Sequence, residues 1–166
     1  MQRKINSKSG KFLHYVIHVH HRSWPDLGVP KLTQPIIDIY NEYVDPSVAK
    51  KLPVAVHCSA GIGRTGCFIA AYICFLQFKA SRLVSVKSAI CNIRRMRGRA
   101  VQKSSQYFFL HLLLVEMIEN FNGQDLSKVK SKFYYILKVV QEKEAKKAAK
   151  AAEEKQAQKP TKDAKR

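Results

Sequence analysis

Residues 56–66 read Val-His-Cys-Ser-Ala-Gly-Ile-Gly-Arg-Thr-Gly, and here the residue types and their spacing could do chemistry. Cys58 is followed by glycine at the third and fifth positions, Gly61 and Gly63, and by arginine at the sixth, Arg64. The short apolar run before it, 54–57 after Pro53, predicts a buried strand. The apolar stretch 65–78 predicts a buried helix. The small residues between them then form a turn whose backbone N–H groups converge with the helix N-terminus, which favours an anion. A thiol at the start of such a turn is held as thiolate, well below the roughly 8.5 of a free cysteine. Arg64 closes the cup from the other side with a planar fork that suits two oxygens of a phosphoryl group.

Two other readings of this segment compete. Gly61, Gly63 and Gly66 match the GxGxxG dinucleotide fingerprint, but that site needs an acidic residue about 20 positions on. None occurs between Asp45 and Glu116. Alternatively Cys58 is a structural buried thiol, the common fate of a lone cysteine. The arginine and the glycines placed around it argue for chemistry instead.

His57-Cys58-x-x-Gly61-x-x-Arg64-Thr65 resembles the HCxxGxxR(S/T) signature of the cysteine-dependent protein tyrosine phosphatases. Trp24-Pro25-Asp26 resembles that family's mobile acid loop. Val101-Gln102 with Gln106 resembles its glutamine loop, so the likeness runs in order from about residue 14 to 121. The resemblance implies an α/β fold, a central mixed sheet flanked by helices, here with an incomplete N-terminal part. It implies hydrolysis of phosphotyrosine on proteins through a phosphocysteine intermediate, with no cofactor and no metal. Cys58 would be the nucleophile and Arg64 the phosphate clamp. The amides of Ser59, Ala60, Gly61, Ile62 and Gly63 would bind phosphate. Asp26 would be the general acid and Gln102 would orient the hydrolytic water, with Gln106 a weaker candidate. Thr65 would hydrogen-bond the sulfur, His57 would help set its pKa, and Trp24 would anchor the acid loop.

The loop interior 59–63 lacks the lysines that lipid-phosphate members place there. The Trp-Pro-Asp form and the glutamine loop also differ from dual-specificity relatives, so protein phosphotyrosine is the implied substrate. Tyrosine-specific members carry a long segment before the acid loop, including a Lys-Asn-Arg-Tyr-type loop lining the pocket. Only 25 residues precede Asp26 here and none match. A catalytically impaired phosphotyrosine-binding or partner-binding relic is therefore the alternative function.

The elements that must position these residues follow from patterning. Residues 15–20 alternate as a strand, and Trp24-Pro-Asp-Leu-Gly-Val-Pro is a punctuated loop. Thr33 is placed to cap a helix with Pro35 in its first turn, carrying Ile36, Ile37, Tyr40, Tyr43 and Val44. Val86, Ile90 and Ile93 recur at helical spacing. Further helices are expected over 107–118 and 126–140. The Lys/Ala/Glu-rich stretch 141–166 has no apolar stripe and reads as a solvated helix or disordered tail. Residues 1–125 are thus expected as a partial phosphatase domain, 126–140 as an added helix and 141–166 as the tail.

Thirty Lys and Arg against twelve Asp and Glu leave a net charge of +18 over 166 residues. Such a field favours anionic partners without choosing among them. The arginines from Arg94 to Arg99 read as a solvated or phosphate-steering face, and nucleic acid is not expected as a partner. Cys58, Cys67, Cys74 and Cys91 form no CxxC pair and no metal spacing. No apolar stretch reaches the ~18 residues of a bilayer span. A reducing, cytoplasmic setting with free thiols is the expectation.

Overall fold

The computed structural model describes residues 2–6 and 13–157, with side chains described over 15–154. Its centre is helical. α3 (Arg64–Ser81) lies against α4 (Val86–Met96) and α5 (Ser104–Asn122), and α6 (Ser127–Ala157) runs back along α5. Small side chains let α3 come close: Cys67, Ala70, Ala71 and Cys74 are fully buried against Phe109, Leu110, Leu112 and Leu113 of α5. Interiors packed this tightly lose several kcal/mol, roughly 2–5, when one large side chain is cut to alanine.

Before this core come α1 (Gln34–Ile39), a π-helical turn (Tyr40–Val44) and α2 (Asp45–Ala49). Pro35 does sit in the first turn of α1, and Thr33 does occupy the N-cap position. Its hydroxyl, however, donates to the Glu116 carboxylate on α5 instead of capping its own helix. Tyr40 is buried beneath α3 and donates its hydroxyl to the Phe68 carbonyl at 2.8 Å.

The strands differ from expectation. β1 (Gln2–Asn6) and β2 (Leu13–Ile17) pair antiparallel, with Lys4 opposite Tyr15, so the first predicted strand begins earlier and ends at Ile17. This hairpin is the whole sheet among the described residues, and no central mixed sheet is built from them. Residues 54–57, expected as a buried strand, take up no regular secondary structure, with Val54 42% exposed and Val56 half-buried. Their backbone groups find no hydrogen-bond partner among the described residues. The apolar run has the right composition, but among the described residues no neighbouring strand pairs with it.

Helices run longer than their apolar stripes. α5 starts at Ser104, not 107, and ends where Gly123 adopts φ 66°, a left-handed stop. α6 continues across the composition change at 141 without a break.

Candidate active site

The turn 58–63 folds as its residue types dictate. Gly61 sits at φ 70°, a conformation that costs a side-chain residue strain. This brings its N–H within 3.2 Å of Cys58 Sγ. Partial burial pushes the Cys58 thiol up, but the Thr65 hydroxyl and the amides of Thr65, Gly61 and Ile62 outweigh it and bring the pKa down to about 7. The Thr65 hydroxyl is buried in the first turn of α3 and has no hydrogen-bond partner among the described residues, which leaves its proton free for the sulfur. Arg64 is not among the groups that lower it; neutral dipoles do the work. The contrast with Cys67, nine residues on, is instructive: burial without such dipoles pushes that thiol up to about 12.

Arg64 opens α3 and reaches across to the Trp-Pro-Asp loop. Its Nη2 donates to Asp26 Oδ1 at 3.0 Å and its Nη1 to the Trp24 carbonyl at 3.3 Å. The loop is stiffened locally. Trp24 is buried, stands edge-on to Phe109 at 5.6 Å, and donates its indole N–H to the Gly28 carbonyl at 3.1 Å. Asp26 Oδ1 also accepts from the Leu27 N–H, and Leu27 is held at φ 56°. The Trp-Pro-Asp loop and Arg64, at the end of the 58–63 turn, are therefore brought together, with the Asp26 carboxylate on the arginine.

The glutamine loop lies on the other flank. The Val101 N–H donates to the Ile62 carbonyl at 3.0 Å, tying it to the phosphate loop. Val101 pays for that contact with φ 59°, a genuine outlier for a β-branched residue. A Cβ on Gly66 would stand 2.8 Å from the Val101 nitrogen, which is why glycine is needed there. A Cβ on Gly63 would stand 2.6 Å from Gln102 Oε1 and 3.0 Å from Gln106 Nε2, so both glutamine amides lie against the phosphate loop. Gln102 is exposed at the mouth. Gln106 is fully buried, and its Oε1 accepts from the N–H groups of Gln102 (2.8 Å) and Lys103 (3.3 Å). It is placed as a strut beneath the loop. Ser59 and Ala60 line the exposed side of the turn, Ile62 is half-buried, and His57 is exposed without a hydrogen bond to any described residue.

Sequence reasoning missed the roles of two arginines. Arg97 sends Nε to the Gly61 carbonyl (3.0 Å) and Nη2 to the Ala60 carbonyl (3.1 Å), fixing the outer face of the turn. Arg94 does the same for the glutamine loop, donating to the carbonyls of Ala100 and Val101 at 2.8 and 2.9 Å. These two members of the basic cluster are structural forks, and only spacing from the turn could have hinted at it. No His, Cys, Asp and Glu group among the described residues could hold a metal ion. No described helix is long and apolar enough to cross a membrane.

Comparison with known proteins agrees with this geometry. The human receptor-type tyrosine-protein phosphatase R is 41% identical over 111 residues, covering 66% of this chain and 17% of that protein. The human tyrosine-protein phosphatase non-receptor type 5 is 38% identical over 112 residues, again 66% of this chain, and 20% of its own length. The crystal structure of the Trypanosoma cruzi protein tyrosine phosphatase TcPTP1 superposes with a TM-score of 0.61 at 28% identity, over 76% of this chain and 42% of that one. The chain thus spans about a fifth of the length of these two curated relatives and 42% of the solved structure, and its fold over the shared part is phosphatase-like. The family model described as protein-tyrosine phosphatase matches residues 2–116. That stretch holds the thiol, the arginine, the acid loop and both glutamines, and it places the chain in the protein-tyrosine phosphatase family.

Proposed function

We propose that the chain hydrolyses phosphotyrosine on proteins through a phosphocysteine intermediate. The observation that carries this reading is the turn that folds the Gly61 N–H onto Cys58 Sγ at 3.2 Å, ahead of a helix opened by Arg64, with the thiol lowered to about 7 by the Thr65 hydroxyl and the neighbouring amides. The Cys58 thiolate attacks phosphorus in line while the P–O bond to the tyrosyl oxygen breaks. Charge on the transferring phosphoryl group is met by the 59–63 amides and Arg64, most strongly in the transition state. Asp26 gives its proton to the leaving oxygen. Water held by Gln102 then attacks the phosphocysteine, Asp26 takes the water's proton, and the thiolate departs with help from Thr65. His57, next to Cys58 in sequence, helps set the thiol's pKa, and Trp24 holds the acid loop in place. The central mixed sheet belongs to the same reading, supported by the phosphatase-like fold of the structural neighbour and the strand-like composition of 54–57. So do a cytoplasmic setting and phosphotyrosyl proteins as substrates, and nucleic acid is no partner.

The Arg64–Asp26 ion pair favours a second reading, a phosphotyrosine-binding protein that turns over little. With Asp26 Oδ1 3.0 Å from its Nη2, the guanidinium fork is already occupied where a phosphoryl oxygen should sit. The test is hydrolysis of para-nitrophenyl phosphate and of a phosphotyrosyl peptide, without added metal. Turnover abolished by Cys58→Ser supports the first reading. Peptide binding without turnover supports the second, and turnover indifferent to Cys58→Ser removes both.

A further inference from the structure

One polar contact near the site belongs to no step above. α6 runs antiparallel to α5 and carries Glu144 to the α5 N-terminus, 39 residues from Ser105 in sequence. Glu144 is the only side chain over 141–150 that is not exposed. Its two oxygens are both used: Oε1 accepts from the Ser105 N–H at 3.1 Å and Oε2 from the Ser105 hydroxyl at 2.7 Å. The first amides of a helix need such acceptors, and a carboxylate there also meets the positive end of the helix dipole. The residue at the N-cap position is Lys103, whose side chain has no acceptor to offer. The cap is supplied from the far end of the chain instead.

What this cap fixes is the glutamine loop. Ser105 is 1% exposed and adjoins Gln106, whose Oε1 holds the backbone of Gln102 and Lys103. We propose that Glu144 is a positioning residue: through Ser105, α6 holds the glutamine loop in register over the phosphate loop. The consequence for chemistry rests on the proposed phosphatase reading. Cys58, Arg64 and Asp26, which carry the first half-reaction, have no hydrogen bond to α6 among the described residues. Gln102, which serves the second, depends on the loop that α6 braces. Loss of the cap therefore slows phosphocysteine hydrolysis and spares its formation.

The remaining contacts of α6 keep it docked in a Glu144 variant. Tyr134 donates to Glu116 at 2.9 Å, Lys130 pairs with Glu119, Leu137 is buried, and Phe133 stacks on His111 at 5.5 Å. The experiment compares the full chain with Glu144→Ala, Glu144→Gln, Ser105→Ala and the double variant. Hydrogen exchange at the amides of Gln102 and Lys103 is measured alongside steady-state kinetics on para-nitrophenyl phosphate. Faster exchange at both amides in Glu144→Ala is expected, with kcat down about tenfold, kcat/KM within twofold, and phosphocysteine accumulating in acid-quenched samples. Glu144→Gln, which keeps one acceptor, should fall between, and adding Ser105→Ala to Glu144→Ala should cost little more. Exchange unchanged, or raised only at Ser105, overturns the coupling. So does an equal fall in kcat and kcat/KM. Should the wild-type chain show no turnover, the phosphatase reading fails by itself, and exchange at Gln102 and Lys103 alone decides whether Glu144 positions the loop.

Discussion

Arg64 and Asp26 are 38 residues apart in sequence and 3.0 Å apart in space, guanidinium to carboxylate. The fork that should receive phosphate is thus met by the side chain that should donate a proton. On the proposed reading, a phosphoryl group arriving at Arg64 displaces Asp26, and the swap couples substrate arrival to acid placement. Removing the carboxylate should separate these roles. Asp26→Ala is expected to lower kcat by about 10²–10⁴, the usual share of a general acid. Phosphopeptide affinity should stay equal or improve, because a competitor for Arg64 is gone. Titration calorimetry beside the kinetics checks it, and equal losses in both would count against the acid role.

The Cys58 sulfur should be alkylated by iodoacetamide with a midpoint near pH 7. Mass mapping separates it from the exposed Cys91, while Cys67 and Cys74, held up to about 12 and about 11 by burial, stay silent. Because the folded value lies below the ordinary 9.0, the thiolate's contribution to stability is complete above pH 9 and is lost as pH falls through about 7. Thr65→Val removes the hydroxyl and should move the alkylation midpoint upward. A midpoint near that of free cysteine in the unaltered chain would contradict the site's electrostatics.

Arg97→Ala should let the carbonyls of Ala60 and Gly61 turn and so scatter the amides that face Cys58. Inhibition by inorganic phosphate is expected to weaken about tenfold, and the Cys58 midpoint to rise. Arg97→Lys should rescue little, since an ammonium cannot span two carbonyls as a planar fork does. Unchanged phosphate inhibition would show that the turn holds its shape alone.

Gly66→Ala places a Cβ 2.8 Å from a backbone nitrogen, which cannot swing aside as a side chain could. A loss of about 1–3 kcal/mol in urea unfolding is expected. Gly98→Ala, with nothing within 4 Å of its Cβ, should change stability by less than about 0.5 kcal/mol. Equal behaviour of the two would mean that the glutamine loop does not rest on α3.

Reading the sequence succeeded where one short segment carries its own geometry. Cys58, Gly61, Arg64 and Thr65 lie within eight consecutive positions, so residue type and local turn suffice to place them. The helices α3, α4 and α5 were legible for the same reason, since their apolar spacing is local. Arg97 and Glu144 were not, because each acts on backbone groups 36 to 39 residues away and looks like surface charge in the sequence. Residues 54–57 show the converse. Their composition says strand, but a strand exists only by virtue of a neighbour.

That unpaired run has a colloidal consequence. Around Val54 and Val56 the N–H and C=O groups have no hydrogen-bond partner among the described residues, and open backbone of this kind templates edge-to-edge aggregation. What keeps copies apart in dilute buffer is mutual repulsion at +18, which acts over about 10 Å at 0.1 M salt and about 3 Å at 1 M. Purified material should therefore stay clear at low ionic strength and turn turbid as sodium chloride is raised, with light scattering climbing long before any melting.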